Sequence, residues 1–295
     1  MTENEFLLQD RLTKIKSTIE KYGEDNFYIS FSGGKDSVVL SALVDMACPG
    51  NTIPRVYADT GIELNMIHDF VYDLAKEYKR IEIIKPSQPI KKMLEKDGYP
   101  FKSKIHSACV YLYQNERDRK MWQGYTGKRP ETWHTKTCPQ KLMYQFDDSF
   151  TLRVSDKCCF NLKEEPLKAW ANKNNKIHAI IGVMQDEGGR RTRSGCFTVR
   201  GKKITFKPLS IATKAWENWV IDTYNIRICD IYKPPYNFER TGCKGCPFAI
   251  NIQYELDTLE KYFPAERKQC EMIWKPVYDE YRRIGYRLRK EDKTE

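Results

Sequence analysis

Long apolar runs are missing from this chain of 295 residues, of which 31% are charged. Because a helix that crosses a bilayer needs about 20 consecutive apolar residues, the sequence predicts no membrane span. Residues 1–5 also lack the charged and then apolar pattern of a secretory signal. Together these absences predict a cytoplasmic protein.

Histidine is scarce, and sequence repeats are absent. The four histidines show no paired spacing of the kind that metal sites use, which argues against a site built on histidine. No internal repeat or low-complexity linker occurs, so a repeat architecture is excluded. Ten cysteines in a protein predicted to be cytoplasmic are expected to be free thiols or metal ligands rather than disulfides.

The positive charge of the chain is unevenly distributed. The formal net charge is +10, and residues 100–141 hold nine Lys or Arg against three Asp or Glu. Residues 186–207 hold seven against two. A positive surface attracts the phosphates of a nucleotide or of a polynucleotide, although simple solubility explains the same charge.

Strand-like and helix-like segments alternate along the chain. Apolar, β-rich runs predict strands over residues 27–31, 54–58, 80–84 and 177–183. Apolar spacing predicts helices over residues 5–22, 36–47, 64–78, 214–224, 252–262 and 267–284. This alternation predicts an α/β fold with a mainly parallel, twisted sheet flanked by helices. Ligands of such sheets bind at the carboxyl ends of the strands, so the loops after Phe31, Ala58 and Val183 are expected at one rim.

Residues 99–148 do not follow this alternation and are interpreted as a basic, aromatic-rich insertion with local helices. Its aromatic side chains include Tyr111, Tyr113, Trp122, Tyr125 and Trp133. Such a mixture can bind single-stranded nucleic acid by stacking and phosphate contact. The alternative, a small aromatic core, is favoured because aromatic side chains usually pack. We predict a domain over residues 1–250 that contains the insertion, followed by a helical extension over residues 251–295.

The segment Ser32-Gly33-Gly34-Lys35-Asp36-Ser37 lies between a predicted strand and a predicted helix. Two glycines let the backbone turn tightly and approach an anion, and the helix N-terminus adds positive potential. The serines supply hydroxyl donors, Lys35 supplies a point charge, and Asp36 suits a helix cap or a Mg²⁺ ligand. The spacing fits neither Gly-x-x-x-x-Gly-Lys-Ser/Thr nor Gly-x-Gly-x-x-Gly. The segment therefore predicts a phosphate-binding loop of another type.

This loop resembles the PP-loop of the ATP pyrophosphatase superfamily, whose members cleave ATP between the α and β phosphates. The resemblance implies that the triphosphate of ATP lies on residues 32–37 and that Mg²⁺ bridges the phosphates. It also implies that the adenosine lies near Asp59, Thr60 and Gly61, which follow the second predicted strand.

Further motifs follow the loop along the chain. They are Tyr57-Ala58-Asp59-Thr60-Gly61, Ile181-Gly182-Val183-Met184-Gln185-Asp186-Glu187, the arginines Arg190, Arg191 and Arg193, Lys207-Pro208-Leu209, and a predicted helix with Trp216 and Trp219. In this order they resemble the phosphoadenosine phosphosulfate (PAPS) reductase family, a branch of the PP-loop fold. The resemblance covers about residues 27–248 and implies an adenine nucleotide alpha hydrolase-like fold. Arg190 and Arg191 are expected to contact phosphate, with a solvated surface loop as the alternative.

Two pairs of cysteines stand out, Cys158-Cys159 and the Cys243-Lys244-Gly245-Cys246 motif. A Cys-x-x-Cys spacing suits two thiolates on one metal centre, and a second pair completes four ligands. The pattern resembles the iron–sulfur adenylyl sulfate reductases and the DNA phosphorothioation enzymes of the same family. That resemblance implies a [4Fe–4S] cluster on Cys158, Cys159, Cys243 and Cys246. Zinc and the absence of any metal stay open.

The remaining cysteines carry weaker expectations. Cys138, which precedes a proline, is an alternative fourth ligand. Ordinary buried thiols are expected at Cys48, Cys109, Cys196, Cys229 and Cys270.

Two departures from the reductases bear on activity. The tail lacks the Glu-Cys-Gly-x-x-His-like motif that carries the catalytic cysteine of the reductases, and the phosphate loop, degraded in many reductases, is intact. Met184 and Leu162 stand where the family usually has arginines, which disfavours recognition of a sulfate-like group.

These features predict an enzyme that cleaves ATP to AMP and pyrophosphate and adenylylates an acceptor for sulfur transfer. Its predicted catalytic residues are Lys35, Asp36, Arg190 and Arg191, because fixed cations stabilise the charge that develops during phosphate cleavage. One alternative is a thiol-dependent reductase of adenylyl sulfate or PAPS. Another is a nucleotide-regulated module that binds nucleic acid through the basic insertion.

Overall fold

A computed structural model describes residues 1–132, 137–185 and 195–290 of the chain. The chain divides into two compact units. The first unit comprises Met1–Asp59, Glu63–Pro86 and Glu165–Gly242, and the second comprises Thr60–Ile62, Ser87–Glu164 and Cys243–Glu295. Within the described ranges, no helix combines the length and the apolarity that crossing a membrane requires.

The first unit is built on one six-stranded sheet. The strands are β1 Phe27–Phe31, β2 Arg55–Ala58, β3 Ile81–Ile84, β4 His178–Ile181, β5 Phe197–Arg200 and β6 Lys203–Phe206. Their order in the sheet is β3-β2-β1-β4-β6-β5. Strands β1, β2, β3, β4 and β6 are parallel, and β5 runs antiparallel to β6 at the edge. The predicted mainly parallel sheet is confirmed.

Helices occur in both units. In the first unit they are α1 Glu3–Tyr22, α2 Lys35–Ala47, α3 Asn65–Glu77, α8 Glu165–Lys173 and α9 Lys214–Thr223. In the second unit they are α4 Ile90–Asp97, α5 Lys104–Asn115, α6 Lys120–Tyr125, α7 Lys157–Cys159, α10 Ile252–Tyr262 and α11 Pro264–Ile284.

The core of the first unit forms where α1, α2 and α9 cover one face of the sheet. Strand β1 alternates between buried and half-buried side chains, as a strand with one face towards a core requires. The buried apolar cluster includes Ile15 of α1, Leu40 of α2, Ile180 of β4 and Val220 of α9. This packing fixes the start of α2 against the sheet.

Strand β1 lies between β2 and β4, so the order in which strands are added to the sheet reverses at β1. The connections from β1 to β2 and β3 run towards one edge, and β4 adds on the opposite side of β1. In open parallel sheets the ligand crevice lies at such a switch point, outside the carboxyl ends of the strands. The loops after β1 and β4 border this position.

The second unit contains a small aromatic core. Tyr113 and Trp122 meet edge to face with ring centroids 5.0 Å apart. Both rings also contact Phe146, and Tyr125 is buried beside it. The prediction of an aromatic core is confirmed for these side chains, while Trp133 lies outside the described residues.

Candidate active site

The glycines of residues 32–37 shape the loop that joins β1 to α2. Gly33 has a φ of +72°, in the region that side chains with a Cβ rarely adopt. A Cβ at Gly33 would lie 2.4 Å from Cγ2 of Val71 on α3. Both the backbone conformation and the close approach of α3 therefore require glycine at this position.

The two serines hold the loop against the first turn of α2. The Ser37 hydroxyl donates to the Gly34 carbonyl oxygen at 2.8 Å, and the Ser32 amide donates to Ser37 Oγ at 3.2 Å. The Gly34 amide donates to Ser32 Oγ at 3.3 Å. Gly34 is the N-cap of α2, and no side chain caps it among the described residues. An uncapped helix N-terminus is a favourable position for an anion.

The loop after β4 touches the same turn of α2. A Cβ at Gly182 would lie 2.8 Å from the carbonyl oxygen of Asp36 and 3.2 Å from the amide nitrogen of Ser37. Glycine thus permits the direct backbone approach of the two loops. Of the loops after Phe31, Ala58 and Val183 that were expected at one rim, the first meets the residue that directly follows β4, and β2 ends at the same edge because it runs parallel to β1.

Lys35 is held by helix α9. Its Nζ lies 2.9 Å from Glu217 Oε2 and 3.5 Å from Asn218 Oδ1. The side chain of Lys35 is 13% exposed and that of Glu217 is 1% exposed, so this ion pair lies almost entirely out of water. Glu217 belongs to none of the motifs recognised in the sequence. The sequence did offer one indication of a buried acid, because Glu217 lies between two tryptophans of a helix with an apolar face.

Asp36 brings a second carboxylate to this pair. Burial and, to a lesser degree, the charge of Asp36 raise the pKa of Glu217 to about 7, while Lys35 opposes both effects. Asp36 and Glu217 are also close enough for a hydrogen bond between their carboxyl groups. Two carboxyl groups therefore share one lysine at the first turn of α2.

Hydroxyl groups approach the loop from another segment of the first unit. The hydroxyls of Tyr232 and Thr241 are hydrogen-bonded to each other. Tyr232 Oη would lie 3.3 Å from a Cβ at Gly34. Burial raises the pKa of Tyr232, although hydrogen bonds from Thr241 and from the backbone of Lys35 oppose the shift. Tyr232 therefore stays a neutral hydroxyl beside the loop.

The other predicted nucleotide contacts are only partly described. Asp59 directly follows β2, is 7% exposed, and accepts a hydrogen bond from the Tyr72 hydroxyl at 2.9 Å. Thr60 is buried, and Gly61 has a φ of +73°. Asp59 belongs to the first unit, and Thr60 and Gly61 belong to the second. The segment that holds Asp186, Glu187, Arg190, Arg191 and Arg193 lies outside the described residues.

The four predicted cysteine ligands belong to the second unit and share one electrostatic environment. A hydrogen bond with Cys159, burial, and the charges of Cys159, Cys246 and Cys243 all raise the pKa of Cys158. The hydrogen bond from Cys158 lowers the pKa of Cys159 to about 6, with help from Lys104 and Lys163. Burial and the charge of Cys243 raise the pKa of Cys246.

Side chains of helix α11 donate hydrogen bonds to backbone carbonyl groups of the Cys-x-x-Cys turn. Trp274 Nε1 donates to the Lys244 carbonyl oxygen at 2.9 Å, and the Tyr278 hydroxyl donates to the carbonyl of Gly245. The Tyr281 hydroxyl donates to the carbonyl oxygen that follows the motif, that of Pro247, at 2.9 Å. Because these three aromatic residues lie three and four positions apart, one face of α11 supplies all three donors.

Gly245 and Lys244 fit closely beneath the same helix. Gly245 has a φ of +59°, and a Cβ there would lie 2.4 Å from Tyr278 Oη. Lys244 Nζ lies 3.2 Å from Glu266 Oε2, with both side chains at most 5% exposed. Lys244 also donates to Gln269 Oε1 at 2.7 Å. The turn between Cys243 and Cys246 is therefore fixed on its inner side.

Among the residues that the structure describes, no three His, Cys, Asp or Glu side chains converge as a ligand set for a metal ion.

Cys138 is buried, and its thiol points to the Pro139 carbonyl oxygen at 3.5 Å. Burial raises the pKa of Cys138 to about 11, and its polar neighbours include Lys102 and Tyr125. As predicted, three further thiols are buried, those of Cys109, Cys229 and Cys270. Two others, Cys48 and Cys196, are only half-buried, so the prediction of burial is wrong for them.

The fold is that of an α/β protein, with a glycine-containing loop between β1 and α2 at the switch point of a mainly parallel sheet. The model of the phosphoadenosine phosphosulfate reductase domain matches residues 26–133 of the chain. Over this range, about a third of the chain, the sequence is similar to the PAPS reductase domain. The expected family resemblance is confirmed over this range.

One curated relative is the protein MJ0973 of Methanocaldococcus jannaschii, which is 26% identical over 289 residues. The match covers 92% of this chain and 56% of the relative. The chain therefore spans about half the length of the curated relative that it matches.

Three solved structures are similar at low sequence identity. The PAPS reductase of Candida auris, in a phosphate complex, is 13% identical with a TM-score of 0.45, over 80% of this chain and 95% of that chain. Yeast FAD synthetase in complex with FAD is 10% identical with a TM-score of 0.46, over 90% and 79%. The NH3-dependent NAD synthetase of Campylobacter jejuni is 12% identical with a TM-score of 0.42, over 94% and 95%.

Proposed function

We propose that this chain binds ATP at residues 32–37, cleaves it to AMP and pyrophosphate, and adenylylates an acceptor for sulfur transfer. The observation that carries the proposal is the intact loop at the switch point, with Lys35 at its end. The loop has the glycines, the serine hydroxyls and the helix N-terminus that a polyphosphate requires. A substrate that is already a nucleotide sulfate needs no such triphosphate site.

The roles of the residues follow from charge. In the proposed reaction an acceptor oxygen attacks the α-phosphorus, the bond between the α-phosphorus and the bridging oxygen breaks, and pyrophosphate leaves with the electron pair. Lys35 stabilises the negative charge that develops on the phosphates, and Arg190 and Arg191 are proposed to assist it. Adenosine is proposed to bind near Asp59, Thr60 and Gly61. A sulfur nucleophile then displaces AMP from the activated acceptor.

Mg²⁺ fits the carboxyl groups at the start of α2. Mg²⁺ takes oxygen ligands and is usually bound through one or two carboxylates together with the phosphates of a substrate. Asp36 supplies such an oxygen beside the loop. Bound Mg²⁺ would neutralise phosphate charge, while the protein groups orient the triphosphate.

We further propose that Cys158, Cys159, Cys243 and Cys246 bind a [4Fe–4S] cluster that holds or relays sulfur. Mutual charge effects among the four thiols support their grouping, and the lowered pKa of Cys159 favours the thiolate that binds iron. A single zinc ion needs its sulfur ligands about 4 Å apart, given Zn–S bonds of about 2.3 Å. Zinc on the same four thiolates is the alternative that metal analysis must separate from the cluster.

The metal is tested by anaerobic purification, an absorbance spectrum, and analysis of iron, sulfide and zinc. The proposal predicts about four iron and four sulfide per chain with broad visible absorbance. One equivalent of zinc without iron would overturn the cluster.

The activity is tested by offering ATP and a nucleotide sulfate to the same preparation. Release of AMP and pyrophosphate from ATP supports the proposal. Release of sulfite from adenylyl sulfate or PAPS with thioredoxin, without turnover of ATP, would establish the reductase alternative. Salt-dependent binding of DNA or RNA without ATP cleavage would establish the nucleic-acid-binding alternative. The burial of Tyr113, Trp122 and Tyr125 already removes these rings as stacking platforms.

A further inference from the structure

Glu217 is a buried acid that neither the phosphate loop motif nor the family resemblance assigns. It lies in the first turn of α9, where its amide donates to the Thr213 carbonyl oxygen at 2.9 Å. The Thr213 side chain caps this helix by accepting from the Trp216 amide. Trp216 and Val220, on the same helix, are buried in the core. Glu217 is therefore held in place by the backbone and by the packing of its neighbours.

Among the described residues, the cation that pairs with Glu217 is Lys35, with an Nζ–Oε2 distance of 2.9 Å. Neither oxygen of Glu217 accepts a hydrogen bond of good geometry among the described residues. Asp36 contributes the second carboxyl group. Within the described residues, Glu217 therefore faces one lysine and one further carboxyl group, and its own charge compensation depends on where the lysine ammonium lies.

A polyphosphate on the loop changes that balance. If the ammonium group of Lys35 turns towards the phosphates, its ion pair with Glu217 weakens. Two carboxylates would then face each other beside further negative charge, in a site from which water is largely excluded. A divalent cation is the partner that restores the charge, because carboxylate and phosphate oxygens are its preferred ligands.

We propose that Glu217 is the ion-pair partner of Lys35 in the nucleotide-free protein. When the phosphates of a bound nucleotide pair with Lys35, Glu217 and Asp36 become protein ligands of the divalent cation. This inference rests on the proposed binding of a nucleotide at residues 32–37. It makes nucleotide and cation binding cooperative through the protein as well as through the phosphates. Linkage then requires that each ligand strengthens the binding of the other by the same factor.

The first test measures binding of α,β-methylene ATP, which cannot be cleaved between the α and β phosphates, by calorimetry. Wild type, Glu217→Gln and the matched control Asp222→Asn, an exposed acid of the same helix, are each titrated with Mg²⁺ and with EDTA. We expect Glu217→Gln to bind about tenfold tighter than wild type in EDTA, because Lys35 is released. We expect its gain in affinity from Mg²⁺ to be about tenfold smaller than the wild-type gain. These factors correspond to ordinary coupling strengths.

Equal gains from Mg²⁺ in Glu217→Gln and wild type would overturn the inference while leaving nucleotide binding intact. A wild-type protein that binds no nucleotide under either condition would overturn the proposed function itself. Asp222→Asn is expected to match wild type. Circular dichroism of each variant confirms that the fold is retained.

The second test needs no nucleotide. Lys35→Met removes the ammonium group and leaves Asp36 and Glu217 facing each other, so it should bind one Mn²⁺, measured by electron paramagnetic resonance of the free ion. Wild type and the double variant Lys35→Met/Glu217→Gln should each bind Mn²⁺ at least tenfold more weakly. Equal Mn²⁺ binding by all three proteins, or none in Lys35→Met, would show that the two carboxyl groups do not form a cation site.

Discussion

Trp274 donates its indole hydrogen to the carbonyl oxygen of Lys244 at 2.9 Å, and so ties helix α11 to the turn between two candidate metal ligands. Trp274 and Lys244 are both buried. The Tyr278 hydroxyl donates to the next carbonyl group, that of Gly245, so the side of the Cys-x-x-Cys turn that faces α11 has little freedom to move. The position of the Cys-x-x-Cys turn thus depends on the packing of a helix that lies about 30 residues further along the chain.

Trp274→Phe keeps most of the apolar contact and leaves the Lys244 carbonyl without its donor. Loss of one partner from a buried hydrogen bond costs about 1–3 kcal/mol, and we expect a loss in that range in the free energy of unfolding by urea. The metal content of purified protein should fall with it. The control is Trp170→Phe, whose indole donates to Glu82 at the surface of the first unit. Equal effects of the two substitutions would contradict the assigned role of Trp274.

Gly33→Ala tests the close approach of α3 to the phosphate loop. The added methyl group meets Val71 at 2.4 Å and must also adopt a φ of +72°. The left-handed conformation costs about 1–2 kcal/mol, and overpacking adds about 1–3 kcal/mol. Nucleotide affinity should fall at least tenfold, measured by titration of α,β-methylene ATP.

The matched control for this change is Gly50→Ala. Gly50 has a φ of +77°, and nothing lies within 4 Å of its added Cβ. It therefore carries the conformational cost without the collision, and nucleotide affinity should not change. Similar losses of affinity in both variants would mean that general destabilisation, rather than the shape of the loop, controls binding.

The alternation of strands and helices allowed much of the fold to be predicted from the sequence. Strands β1 to β4 and the long helices lie within a few residues of their predicted ranges, because each has a strong local apolar pattern. Helix α4, helix α8 and the β5–β6 hairpin were not predicted. Helix α8 is short and highly polar, and β5 is a four-residue edge strand with two half-buried and two exposed side chains.

The site was predicted less completely than the fold. The loop at residues 32–37 is a local motif, and the structure has it between a strand and a helix, as the sequence predicts. Glu217 was missed because it meets Lys35 only through the packing of α9 on α2, and the two residues lie far apart in the chain. The pairing of α11 with the Cys-x-x-Cys turn was missed for the same reason. Aromatic residues at helical spacing predict a buried face, but they do not reveal what that face contacts.

His106 gives the second unit a predicted dependence of stability on pH. It is fully buried between Tyr125, at 3.1 Å, and Gln145, at 2.8 Å. Burial lowers its pKa to about 4, with smaller contributions from Lys102 and Arg287, from an ordinary value of 6.5. The unfolded chain therefore binds a proton more readily, and stability present above pH 6.5 is lost as the pH falls towards 4.

Between pH 7.5 and pH 5, this difference amounts to about 2 kcal/mol of unfolding free energy, at about 1.4 kcal/mol per pH unit below 6.5. His106→Gln should be less stable than wild type at pH 7.5 but should lack this component of the decline. His68→Gln, at a partly exposed position, should decline as wild type does. Urea unfolding at the two pH values measures the effect, and an undiminished decline in His106→Gln would contradict the assignment.

Cys246→Ser tests the candidate cluster ligands. Because a serine hydroxyl is a poor ligand for iron, we expect the iron content after anaerobic purification to fall to less than half of the wild-type value. Cys229→Ala removes a buried thiol of the first unit and should leave iron unchanged. Iron retained in full by Cys246→Ser would exclude this cysteine as a ligand.

The activity proposed for this protein is the cleavage of ATP between its α and β phosphates at Lys35. The direct measurement is incubation of the protein with [γ-³²P]ATP and Mg²⁺, followed by separation of labelled pyrophosphate from labelled orthophosphate. We predict labelled pyrophosphate, with the rate falling at least 100-fold in Lys35→Ala and unchanged in Lys16→Ala, at an exposed position on α1. Labelled orthophosphate as the only product, or a rate that is the same in Lys35→Ala, would contradict the account.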